Sequence, residues 1–136
     1  MISVPKLLLT LSVIAFVFSL TQKAFYVSND ASGWSGVAAL ISGAVGVLGG
    51  YPAWLANPFL FASWILSLLQ KQMWVTVCAV VSAIFALSFL YHKEIIVDEG
   101  GSMAKISGYG LGYGLWLAAS VLMICEGTYT LCLKTV

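Results

Sequence analysis

The sequence predicts an all-α fold, a polytopic membrane helix bundle, and three observations carry that expectation. Hydrophobic residues make up 61% of the 136 residues and charged residues 8%, where soluble domains carry roughly 25% charged residues. The apolar residues fall into long runs divided by short polar clusters. The segment from Ala31 to Gln70 has no charged side chain at all, and as a helix it would be about twice the length that crosses a ~30 Å hydrocarbon core.

Four transmembrane helices are expected, over residues 5–27, 52–70, 72–92 and 106–132, together with a glycine-rich short or re-entrant helix near 34–49. The first run follows a single Lys6. A cleaved signal peptide shares that signature, but Ser19-Leu20-Thr21-Gln22-Lys23-Ala24 lacks a clean small-x-small cleavage site, which favours a retained span. The chain leaves this span through the turn-forming cluster Ser28-Asn29-Asp30-Ala31-Ser32-Gly33.

In the segment that follows, Val37, Leu40, Ile41, Ala44, Val45 and Leu48 share one helical face, and Ser35, Ala39, Ser42, Gly43, Gly46 and Gly50 share the other. A large face opposed to a small one suits close packing against neighbouring helices. Glycine content, marginal length and the Gly49-Gly50 break favour a re-entrant element over the alternative of five transmembrane helices. Pro52 suits the first position of the next helix. Pro58 leaves the carbonyl of Trp54 without its helical donor, so a kink is expected there. The amide of Asn57 is the natural replacement donor, with a substrate-facing role as the competing reading.

Gln70-Lys71-Gln72 is a tight polar connection into the third span, on which Cys78, Ser82 and Ala86 form a ridge of small side chains. The next loop, His92 to Lys105, holds branched residues on both sides of Gly100-Gly101. That pattern is compatible with a short hairpin, but a solvated loop is the preferred reading. The last span opens with two overlapping GxxxG pairs, Gly108/Gly112 and Gly110/Gly114, which mark close helix–helix approach.

Glu126 is the single acid or base inside an expected span, and an intramembrane carboxylate begins as a functional hypothesis. It could pair with Lys134 about two turns away, bind a proton or cation, or anchor a partner helix. A hydroxyl from Thr76 or Thr130 could satisfy it.

Several chemistries are disfavoured. A net charge of +1 gives no electrostatic footprint for nucleic acid. All six cations are lysines, so bidentate guanidinium recognition is absent. The three cysteines and single histidine show no metal-ligand spacing, and no nucleophile, base and orienter cluster together. No cofactor, no metal and no enzymatic activity are therefore expected.

Ala53-Trp54-Leu55-Ala56-Asn57-Pro58, the apolar run after it, and Gly112-Tyr113-Gly114-Leu115-Trp116-Leu117-Ala118 resemble a pattern in small uncharacterised bacterial four-span inner-membrane proteins. The resemblance covers residues 34–120 and implies a helical membrane fold, with no activity attached to it. On these grounds the expected partners are the lipid bilayer and either another membrane protein or a second copy of the chain. The expected location is a bacterial inner membrane with both termini cytoplasmic. The favoured function is helix–helix packing with a membrane partner, as in an accessory subunit or immunity-type protein. The alternative is a proton- or cation-coupled transporter component built on Glu126. Candidate functional residues are Glu126, Asn57, Pro58, Gly110 and Gly114.

Overall fold

A computed structural model describes all residues, 1–136. Five α-helices occur, α1 (Val4–Thr21), α2 (Gly36–Leu48), α3 (Ala56–Leu68), α4 (Gln72–Ser88) and α5 (Leu111–Thr135). Four strands lie between them, β1 (Lys23–Val27), β2 (Asp30–Ser35), β3 (Glu94–Ile96) and β4 (Met103–Tyr109). The expectation of an all-α chain is thereby corrected, because the strands join in one antiparallel sheet of order β2-β1-β4-β3.

The physical reason lies in two stretches that read as helix or loop. The apolar run from α1 does not continue helically to residue 27. It breaks at Gln22 and re-forms as β1, whose alternate residues Phe25 and Val27 are buried. Ser28-Asn29 is a two-residue hairpin connection to β2, and Val27 pairs with Asp30. The loop after His92 folds as the hairpin β3–β4 around Gly100-Gly101, with Ile95 opposite Ala104. Residues 106–109, expected as the start of the last span, belong to β4, and the helix begins at Leu111.

Helices α1, α3, α4 and α5 form a bundle with the sheet at one end, while the chain termini and the α3–α4 turn lie at the other. Gln70 makes that turn at a φ of 59°. Three helices, Val4–Thr21, Gln72–Tyr91 and Leu111–Thr135, are long and apolar enough to cross a membrane. Pro52–Leu68 follows α2 through a bend of 115°. Pro52–Leu55 is a 3-10 turn leading into α3, so Pro58 falls in the helix's first turn, where its missing N–H is tolerated.

Helix α2 begins and ends beside the sheet. The Gly36 amide donates to the Gln22 carbonyl at 2.9 Å, and Gly49 lies against Ile96 of β3. It therefore does not traverse the bundle. Its large face points outward, with Ile41 71% and Leu48 90% exposed, while Gly43 closes on the Trp54 ring.

The bundle core is apolar, built on Phe16, Leu60, Val75 and Met123, but it also holds buried hydroxyls, and apolar stripes face outward. Ser12, Ser63, Ser82 and Ser120 are wholly buried, whereas Leu7, Leu11, Ile14 and Phe18 of α1 and Met73, Val77, Val80, Ile84 and Leu87 of α4 form exposed apolar stripes. The buried hydroxyls stitch the helices together. Ser12 Oγ donates to the Ala119 carbonyl at 2.7 Å and accepts from Trp64 Nε1 at 2.9 Å. Ser82 Oγ donates to the Ala56 carbonyl and lies 2.8 Å from Ser120 Oγ. Small side chains and interhelical hydrogen bonds are what hold helices together where apolar burial offers no driving force.

Candidate functional site

The main cavity, of about 480 Å³, lies where α2, the inner face of the sheet and the sheet-side end of the bundle enclose space. That volume falls in the ~300–1,000 Å³ range of small-molecule sites. Its existence follows from α2. The helix has no fully buried residue, so it roofs the end of the bundle without filling it. The walls are largely aromatic, with Phe25 and Trp34 from the sheet, Tyr51 and Trp54 from the approach to α3, and Tyr113 and Trp116 from α5. Phe25 and Trp34 stack at 5.5 Å, and Phe89 packs on Phe25 at 5.3 Å, which fixes the sheet side of the wall.

Most polar side chains in the wall are already engaged, the exceptions being Trp34 Nε1 and the exposed Glu99 carboxylate at the sheet end. Asn57 Nδ2 donates to the Trp54 carbonyl at 3.1 Å, the carbonyl that Pro58 leaves without a helical donor. Asn57 Oδ1 accepts from Trp116 Nε1 at 2.9 Å. Trp54 Nε1 donates to the Leu40 carbonyl and Tyr113 Oη to the Ala86 carbonyl, each at 2.8 Å. Ser19 and Ser42 donate to carbonyls of their own helices. Asp98, at the sheet end of the wall, is bound up in its own turn, accepting from the Ser102 amide at 2.9 Å. Those bonds hold its carboxyl below the usual carboxylate range, the Ser102 side chain contributing most. The remaining interior surface offers shape and apolar contact, with few free donors or acceptors.

The sequence candidates are not brought into one site. Asn57 lines the cavity, and Pro58 sits beside it in α3. Glu126 lies far from both, near the α3–α4 turn, where it is 1% exposed. Its Oε1 accepts from Ser67 Oγ at 2.9 Å, so the hydroxyl comes from α3 and not from Thr76 or Thr130. Thr130 instead donates to the Glu126 backbone carbonyl, and Thr76 to that of Gln72.

Neither GxxxG pair is a helical motif. Gly108 is in β4, and Gly110 is the N-cap of α5. A Cβ on Gly110 would stand 2.1 Å from the Lys23 carbonyl oxygen, so this glycine serves the fold's own β1–α5 junction. Gly112 is pressed on three carbonyls of residues 19–23, while Gly114 faces outward with nothing within 4 Å.

The aromatic wall was not legible as a site, since Trp34, Trp54, Tyr113 and Trp116 are scattered along the chain and only the sheet and α2 gather them. No family model matches the sequence, and no curated protein or solved structure shows significant similarity to it.

Proposed function

We propose that this chain is an integral membrane protein that crosses the bilayer four times and holds the hydrocarbon chain of a lipid beneath α2, without catalysing a reaction on it. Membrane embedding is supported by three helices long and apolar enough to cross, by their outward stripes of Leu, Ile, Val and Phe, and by serine hydroxyls buried between the helices. In this reading α1, the Pro52–Leu68 segment, α4 and α5 cross, and α2 lies at the boundary on the sheet side. Its outward stripe of Val37, Ile41, Val45 and Leu48 then rests in lipid.

The observation that carries the ligand class is the apolar, largely aromatic lining of the cavity, whose polar side chains are mostly bonded within the protein, Glu99 and Trp34 Nε1 excepted. A sugar, nucleotide or peptide would give up its hydration and find few partners there, whereas a hydrocarbon chain needs none. Proximity supports the same occupant, because in this reading the cavity's roof lies against lipid along its outward apolar stripe.

The test is the lipid retained by the purified protein, extracted and quantified by mass spectrometry. The Gly46→Leu variant puts a side chain into the cavity from a position where a Cβ meets only Tyr51 Cβ, at 3.8 Å. It is expected to retain much less lipid than the parent. Equal retention by parent and variant, after detergent washing, would sink the reading.

A second reading, packing against a membrane partner or a second copy, has one observation behind it. Gly114 and Cys125 are exposed on α5 with half-buried Ala118 between them, a small-residue ridge left free by the fold. Gly114→Leu separates the two readings, since it should leave lipid retention intact and abolish any co-purifying partner or dimer.

A further inference from the structure

At the opposite end of the bundle, two buried oxygens have no hydrogen-bond partner: Glu126 Oε2 and Gln72 Oε1. Both residues are more than nine-tenths buried, at 1% and 7% exposure. They are neighbours, the Gln72 amide lying beside the Glu126 carboxyl. Ser67 Oγ completes the group from α3, and Thr76 Oγ1 faces α5 at Gly127, one residue on. A buried carboxylate oxygen without a donor is costly, and more so when charged, so the Glu126 carboxyl, with no cation of the protein beside it and only the neutral Ser67 and Gln72 side chains around it, calls for a positive species at Oε2.

The protein itself supplies none. No ion pair reaches Glu126, although Lys6, Lys71 and Lys134 all lie towards that end. The elements packed around it bring no second acid. Helix α4 contributes Cys78 and, at its N-cap, Lys71; α1 contributes Lys6 and lies next to the amino terminus; α3 has no titratable group. On α5 the nearest titratable groups are Cys125, Tyr129, Cys132 and Lys134, all exposed.

We propose that Glu126, Gln72 and Ser67 form a binding site for a single exchangeable monovalent cation, a proton or an alkali-metal ion. Either occupant neutralises the carboxylate and gives Oε2 a partner. With the Gln72 amide turned over so that Oε1 replaces its N–H towards the carboxyl, a proton on Oε2 donates to Oε1, whereas an alkali ion takes both oxygens as ligands, as hard cations take neutral and anionic oxygens together. The site is separate from the lipid cavity and rests on different residues.

Glu126→Gln is the informative variant, because its amide N–H can donate to Gln72 Oε1 and so mimics the occupied site without exchanging anything. Thermal unfolding of the purified full chain in detergent is followed for parent and variant. One series runs across roughly pH 5 to 9 in alkali-free buffer, and another titrates Na⁺ against choline at fixed ionic strength. An alkali site makes the difference in midpoint between the two proteins climb with Na⁺ and not with choline. A proton site makes that difference change with pH and leaves it indifferent to Na⁺. Gln72→Met, which removes one of the two oxygens, should weaken whichever dependence the parent shows. A constant difference in both series would overturn the proposal. So would a Glu126→Gln protein that fails to fold, since the neutral isostere should be at home in an occupied site.

Discussion

Alanine at Gly110 and at Gly114 should act in opposite directions. Gly110 has φ −96° and ψ 177°, a conformation open to any residue, so only its surroundings forbid a side chain. There a Cβ would sit 2.1 Å from the Lys23 carbonyl oxygen and 2.8 Å from its carbon. Relieving the overlap requires β1 and the start of α5 to part by about an ångström. That strains the bond from the Gly110 amide to the Ala24 carbonyl, 2.9 Å long, and the neighbouring Phe25–Tyr109 pairing. One half-buried hydrogen bond lost, with local strain, comes to about 2–4 kcal/mol. Gly114 lies in the first turns of α5 with open space around it, where Gly→Ala should gain roughly 0.5–1 kcal/mol from helix propensity. Equilibrium unfolding of the two variants in the same detergent measures both changes. Two destabilisations of similar size, accompanied by loss of a dimer, would restore the helical GxxxG interface and refute the junction described here.

Asn57→Leu should cost about 2–3 kcal/mol, because it leaves Trp116 Nε1 without an acceptor and the Trp54 carbonyl without its side-chain donor. A red-shifted tryptophan emission together with a lowered unfolding midpoint is the expected signature, and an unchanged midpoint would contradict it. At the β3–β4 turn, hydrogen bonds from Ser102 depress the carboxyl of Asp98 in the folded chain. Its contribution to the turn is therefore present above the unfolded-state pKa and is lost as pH falls through the lower folded value. The Ser102 amide proton resonance should titrate with a midpoint below the ordinary aspartate range, and a midpoint at or above that range would remove the bond.

Several features could be read from local chemistry. Pro58 and Asn57 belong together on any reading of a helix start, because one deprives the Trp54 carbonyl of a donor and the other carries a donor of the right reach. The break at Gly49-Gly50 follows from residue type, and Gly50 indeed takes φ 90°. The sheet was not readable in the same way. A short apolar run fits helix or strand equally well by periodicity. Lys23–Val27 becomes a strand because β4, some eighty residues away, arrives to pair with it. The GxxxG spacing misled for a related reason. It assumes a helix through residues 108–114, whereas the β1–β4 pairing holds Gly108 in extended backbone and delays the helix to Leu111.

Composition alone, with 8% charged residues, set the expectation of long apolar helices, and three of the helices are long and apolar enough to cross a membrane. It also singled out Glu126 as the one carboxylate within a long apolar run. The tertiary structure decided what local sequence does not encode. It showed which runs would end as strands, which glycines face the protein's own carbonyls, and that eight aromatic rings from separate stretches line one cavity. Those outcomes depend on pairing and packing between residues remote in the chain, whose energies appear only once the backbone has brought them together.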